Sequence, residues 1–206
     1  MKNIFKRVML KLSGEALLGN EKFGINSAAL ISISREIKEV AGSGCQLAIV
    51  IGGGNIFRGI TRDEQVIEEI TGDYMGMLAT VINALALKDS LESSGIPAKV
   101  QSAVGISGFV EDYSTKKALK YLKDGYTIVL AGGTGNPYFT TDTTAALRAS
   151  ELKANLILKA TQVNGVYDDD PKKNPKARRY KSLNFKEAMK KKLKIMDKHL
   201  ITFKIS

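Results

Sequence analysis

Residues 129–149 read VLAGGTGNPYFTTDTTAALRA. An apolar strand runs into glycines, then into a polar segment with five threonines, then into a helix. A strand that feeds a helix through glycines places unpaired backbone N–H groups and hydroxyls at a helix N-terminus. That end carries a partial positive charge and suits an anion. The familiar phosphate loop, G-x-x-x-x-G-K-[ST], occurs nowhere in the chain, so any cation that meets a phosphate here must come from another segment.

Outward from this stretch, strand and helix patterns alternate. RVMLKL (7–12) predicts a strand, and SGEALLG after it a turn. Residues 26–44 carry apolar side chains at helical spacing behind the capping-type Asn26 and end in glycine. QLAIVIGGG (46–54) predicts a strand ending in glycines. The mostly apolar stretch 72–95 predicts a long, largely buried helix opened by Asp73. Further on, 98–103 predicts a strand, 112–125 an amphipathic helix, 126–133 a strand, 141–154 a helix, 155–160 a strand and 184–192 a short helix. Alternation without hairpin signals predicts an α/β fold with a mainly parallel sheet. Ligands in such folds sit beyond the carboxyl ends of the strands, where the sequence places Ser13–Gly14 and the clusters 52–54 and 132–135. No repeat or linker divides the chain, so residues 1–206 are expected to form one domain.

The two glycine clusters do not make a dinucleotide fingerprint. The third glycine is replaced by Phe57 in one and by Tyr138 in the other, which disfavours a nicotinamide-dependent dehydrogenase. Cys45 is the single cysteine and His199 the single histidine, so an intrachain disulfide, a His/Cys metal site and a His-based triad are excluded or nearly so. No apolar run in the sequence approaches the roughly 20 residues that span a bilayer, and the N-terminus lacks the pattern of a signal peptide. A cytoplasmic protein with no membrane partner is the expectation. The net charge of +10 is uneven. Residues 172–206 hold 13 Lys and Arg against Glu187 and Asp197, while the body is nearly neutral. A basic tail attracts phosphates non-specifically, but a solvated lysine-rich face is the plainer reading, and no specific nucleic-acid partner is expected.

Lys11 is out of place inside an apolar strand, where an unpaired charge is costly. Either it snorkels to the surface or it ends the strand beside Ser13 and Gly14 within reach of a phosphate. Lys159 repeats the pattern in LILKA. Two lysines ending two parallel strands are expected to meet over one ligand, with Asp142, at the start of the helix after the glycine turn, holding them in place, unless it is merely an N-cap or first-turn acid. YDDDP (167–171) reads as a solvated turn closed by Pro171 rather than a metal cluster.

KLSGEALLG, IGGGNIFRG, GDYMGMLAT, GGTGNPYFTTD and KATQVNGVYDDDP, in this order, resemble the uridylate kinase branch of the amino acid kinase family, from about Val8 to about Asp197. The resemblance implies a three-layer α/β/α sandwich and the reaction of ATP with UMP to give ADP and UDP, with Mg²⁺ held through the nucleotide phosphates. Lys11, Leu12, Ser13, Gly14, Gly54 and Arg58 would then line the ATP phosphates, and Thr161, Tyr167 and Asp170 the adenosine. Gly53, Asp73, Thr134, Gly135, Asn136, Pro137, Tyr138, Phe139, Thr140 and Thr141 would hold UMP. Lys11 and Lys159 would stabilise the phosphoryl group in flight, with Asp142 orienting them. The loop of Gly19, Asn20, Glu21, Lys22, Phe23 and Gly24 aligns with a region linked to regulation by GTP. A homohexamer in pyrimidine biosynthesis, with GTP and UTP as effectors, is implied as well. The ending KHLITFKIS departs from the family, whose members continue through another strand and helix, so a shortened C-terminus is expected.

Overall fold

The computed structural model describes residues 5–58, 67–161, 163, 165–183, 185–191 and 193; the C-terminal departure expected above lies outside them. Six strands form one sheet: β1 (Arg7–Leu12), β2 (Gln46–Ile51), β3 (Ala98–Ser102), β4 (Glu111–Asp112), β5 (Thr127–Ala131) and β6 (Leu156–Lys159). Their order is β4-β3-β5-β2-β1-β6, and every neighbouring pair is parallel. The helices are α1 (Ser27–Gly42), α2 (Glu69–Ser93), α3 (Thr115–Lys123), α4 (Thr141–Glu151) and α5 (Phe185–Lys190), with a short 3-10 helix over Gly14–Leu17 where a turn was expected. β4 is the strand that the sequence reading lacked. Two residues paired to Gln101 and Ser102 are too few to show alternation.

The period of two along each strand sorts side chains into two apolar layers. Leu47, Ile49 and Ile51 of β2 face Leu87 and Leu91 of α2 and Ile37 of α1. Ala48 and Val50 face Ala118 and Leu122 of α3, Ala145 and Ala149 of α4, and Leu152 just after it. The result is a three-layer α/β/α sandwich. Strand β2 reads QLAIVI with no polar alternation because helices cover both of its faces.

Two expectations for α2 are corrected. The helix starts at Glu69, not at Gly72, so Asp73 lies in its second turn. Nor is it largely buried. Ile70, Tyr74, Met75, Leu78 and Ile82 are exposed, Leu78 and Ile82 by 49% and 50%. By length and composition α2 is apolar enough to cross a membrane, contrary to the sequence reading, although its other face packs on the sheet. A helix apolar all round suggests burial on all sides. Here one side is packed by the sheet and α1, and the other is not covered by the described residues.

Candidate active site

Strand parity and register build the centre of the site. Met9 points toward α4, so Lys11, two residues on, points the same way at the end of β1. In the parallel pairing of β1 with β6, Ile157 lies beside Met9 and Lys159 beside Lys11. Both lysines therefore end adjacent strands beneath the first turn of α4. Asp142 stands in that turn. Lys159 Nζ donates to Asp142 Oδ2 at 2.6 Å, and Lys11 Nζ forms an ion pair with Asp142 Oδ1 at 2.8 Å. The side chains of Lys11, Asp142 and Lys159 are 11%, 9% and 28% exposed. Lys11 is thus paired rather than snorkelling. Burial pushes the Asp142 carboxyl up, but the contacts of Lys11 and Lys159 outweigh it and hold the group below its ordinary range. Asp142 is not the cap of α4. Thr140 is, accepting from the Thr143 N–H at 3.4 Å. Two cations against one carboxylate leave a net positive centre at a helix N-terminus, a place suited to a multiply charged anion.

The glycine turns close around this centre. Gly52 N–H extends the ladder to the Leu12 carbonyl at 2.9 Å. A Cβ on Gly14 would lie 2.8 Å from Gly54 N and 2.9 Å from Gly52 O, so the turns after β1 and β2 touch backbone to backbone. A Cβ on Gly53 would lie 2.7 Å from Ala79 Cβ and 2.8 Å from Gly76 O, so this glycine lets the turn rest on α2. Arg58 donates to the Gly54 carbonyl at 3.1 Å and pairs with Glu15 in the 3-10 helix that Ser13 caps. This gathers Leu12, Ser13, Gly14, Gly54 and Arg58 on one side of the lysines.

On the other side lies the segment from Thr134 to Thr141. Gly132, Gly133 and Gly135 have φ of 72°, 59° and 87°, which other residues rarely adopt. Thr134 Oγ1 accepts from the Asn136 N–H at 3.1 Å. Tyr138 also has a positive φ, 68°, and its N–H donates to Asp73 Oδ2 at 2.7 Å. Pro137 precedes it, and the Tyr138 and Phe139 rings are exposed. Thr141 Oγ1 lies 3.7 Å from a Cβ built on Gly52, which joins this loop to the first side.

Thr161, Tyr167 and Asp170 follow β6 in a separate segment. Thr161 donates to the Val163 carbonyl at 2.6 Å, and Tyr167 forms an antiparallel bridge with Arg179. Asp170 Oδ1 accepts from the Lys172 N–H at 2.9 Å, and Asp169 accepts from the Asn174 amide at 2.8 Å. The run of three aspartates is thus a self-bonded turn. Among the described residues no group of three or more His, Cys, Asp or Glu is placed to hold a metal ion. In residues 19–24, Gly19 and Gly24 have φ of 56° and 87°, and Gly24 N–H donates to the Asn55 carbonyl at 2.9 Å.

Three polar residues near the site were missed in the sequence. Asn83 and Asn55 form a buried amide pair under the 52–54 turn. Arg148, also buried, pairs with Glu151 at 2.8 Å, stacks 3.9 Å from the Tyr113 ring and reaches toward the Gly133 and Thr134 carbonyls at 3.5 Å. For Asn83 and Arg148 the available signal was a lone amide or guanidinium among apolar helix residues, costly to bury without partners; Asn55, in the turn after β2, carried no such signal.

A family model described as the amino acid kinase family matches residues 6–205. Among solved structures, the chain is similar to UMP kinase from Bacillus anthracis, with 35% identity and a TM-score of 0.93 over 98% of this chain and 83% of that one. It is similar to UMP kinase from Ureaplasma parvum, with 35% identity and a TM-score of 0.91 over 96% and 84%. Uridylate kinase from Archaeoglobus fulgidus follows with 28% identity and a TM-score of 0.71 over 95% and 84%.

Proposed function

The chain belongs to the amino acid kinase family, and from that premise we propose how its residues work in phosphoryl transfer. The enzyme is an ATP-dependent UMP kinase, moving the γ-phosphoryl group to the UMP phosphate to give ADP and UDP. Such a transfer needs little covalent work from the protein, mainly alignment and neutralisation of charge. Lys11 and Lys159 meet the equatorial oxygens of the moving group, and Asp142 fixes the spacing of the two ammoniums. The observation that carries this reading is the shared carboxylate: one buried side chain contacts both lysines at the ends of adjacent strands.

The donor side takes ATP as its Mg²⁺ complex. Backbone at Leu12, Ser13, Gly14 and Gly54 approaches those phosphates with Arg58, while Thr161, Tyr167 and Asp170 hold the adenosine. UMP lies against Gly53, Asp73 and the segment from Thr134 to Thr141, its phosphate toward the N-terminus of α4. The test is steady-state turnover of the purified chain with UMP, ATP and Mg²⁺, compared with other phosphate and carboxylate acceptors. UDP formation with UMP as best acceptor is expected; turnover with another acceptor alone would overturn the assignment.

The same reading covers assembly and regulation. Ile70, Tyr74, Leu78 and Ile82 recur every fourth residue on the exposed face of α2, which supports contact with other copies; the homohexamer itself is what the family resemblance implies. GTP acts at residues 19–24, which the Gly24–Asn55 hydrogen bond joins to the glycine turn, and UTP is the second effector. The enzyme serves pyrimidine nucleotide biosynthesis in the cytoplasm.

A further inference from the structure

We propose that Asn83 and Asn55 are positioning residues for phosphoryl transfer, acting through the glycine turn at 52–54. The inference rests on the kinase reading above. The two side chains bond reciprocally: Asn83 Nδ2 donates to Asn55 Oδ1 at 2.6 Å, and Asn55 Nδ2 donates to Asn83 Oδ1 at 3.0 Å. Both residues are buried, at 0% and 3% exposure. Their remaining donors go to backbone at the site. Asn83 Nδ2 reaches the Gly52 carbonyl at 2.7 Å, and Asn55 Nδ2 reaches the Gly24 carbonyl at 2.9 Å.

A buried amide must be satisfied somewhere, and packing alone would explain its being bonded. The choice of partners carries the inference. Gly52, whose N–H donates to the Leu12 carbonyl beside Lys11, has its own carbonyl, in the next peptide group, fixed by Asn83. A Cβ on Gly14 would stand 2.4 Å from Asn55 Oδ1, so the same amide sets how near the first turn approaches. Thr141, the neighbour of Asp142, packs on Gly52. One amide pair, between Asn83 of α2 and Asn55 of the turn after β2, therefore fixes the backbone between the lysines and the two nucleotide sides. Misplacing such a frame by about 1 Å costs on the order of a hundredfold in rate.

The experiment compares Asn83→Asp and Asn83→Ala with Ser90→Ala. Aspartate keeps the shape of asparagine but turns a donor into an acceptor against Gly52 O and Asn55 Oδ1. Ser90 serves as control, because it makes another polar pair from α2, to Ser34 at 2.8 Å, that touches none of the site residues. With each protein assayed well below its melting temperature, kcat should fall about 10- to 100-fold in the Asn83 variants. KM for both nucleotides should stay within about threefold, and Ser90→Ala should keep wild-type kcat. A folded Asn83 variant with kcat within about threefold of wild type would overturn the proposal, as would equal losses in Ser90→Ala. If Asn83→Asp does not fold, Asn83→Ala decides by the same readings. A wild-type chain that forms no UDP would defeat the kinase reading instead. Hydrogen exchange at the Gly24 N–H, bonded to the Asn55 carbonyl, then decides: faster exchange in Asn83→Ala supports the positioning role, and unchanged exchange overturns it.

Discussion

Asp73 Oδ2 accepts the backbone N–H of Tyr138 at 2.7 Å, across 65 residues of sequence. Tyr138 holds a positive φ of 68°, unfavourable for a residue with a side chain, and this hydrogen bond helps to keep it there. The carboxylate sits in the second turn of α2, too far from the helix start for an interaction with the dipole to explain it.

Under the proposed function Asp73 has two separable tasks, fixing the acceptor loop, as the hydrogen bond to Tyr138 does, and receiving the ribose hydroxyls of UMP. Asp73→Asn keeps an oxygen for Tyr138 but loses the charge. Charge-assisted hydrogen bonds are worth about 1.5–3 kcal/mol, so kcat/KM for UMP should fall roughly ten- to a hundredfold with KM for ATP unchanged. The preference for UMP over deoxyuridine monophosphate should narrow. Asp73→Ala also frees Tyr138 and should depress both acceptors further. Kinetics with both acceptors on both variants check this; an unchanged preference in Asp73→Asn would return the residue to a structural role.

Removing either member of the charged centre should act on rate. Losing one preorganised charge partner typically costs about 10² to 10³ in kcat. Lys159→Ala and Asp142→Asn should each show that loss, with a smaller change in UMP binding by titration. Near-normal kcat in both folded variants would refute the catalytic roles.

Acid stability reports on the same carboxylate. Its folded pKa lies below the ordinary aspartate value of 3.8. A depressed carboxylate contributes stability that is fully present above the unfolded value and is lost as pH falls through the folded one. The gap in Tm between wild type and Asp142→Asn should be constant at neutral pH and shrink below about pH 4. Melting curves in a pH series measure it; a gap that widens on acidification would contradict the sign.

Gly53 and Gly42 should respond oppositely to alanine. A methyl on Gly53 enters Ala79 and the Gly76 carbonyl, both backbone-fixed, and overpacking costs about 1–3 kcal/mol. At about 2–4 °C per kcal/mol for a chain of this size, Tm should drop by several degrees. Gly42, the last residue of α1, has nothing within 4 Å of such a methyl, and Gly42→Ala should be neutral or stabilising by up to about 1 kcal/mol. Thermal unfolding of the two variants compares them directly.

The uncovered face of α2 gives an assembly test. Leu78→Lys with Ile82→Lys should shift sedimentation toward smaller species, while the Lys11–Asp142–Lys159 centre, on the other side of the sheet, stays intact. An unchanged sedimentation coefficient would place the contacts between copies elsewhere.

The sequence by itself determined the α/β class, the run of strands and helices to within a few residues apart from β4 and the 3-10 helix, and the suspicion that Lys11, Lys159 and Asp142 belong together. These were legible because period-two and period-3.6 patterns are local, and because a lysine in an apolar strand is costly wherever the strand lies. Pairing decided the rest. That Lys11 and Lys159 lie side by side depends on β6 joining β1 in one register, and a slip of a single residue would have turned one lysine to the opposite face. The same holds for Asn55 with Asn83 and for Asp73 with Tyr138, whose partners are tens of residues away. An apolar helix such as α2 reads alike whether its second face meets the chain's own core or is left for another surface, because hydrophobic burial has no direction. Only the layering of the fold shows which face the chain covers itself.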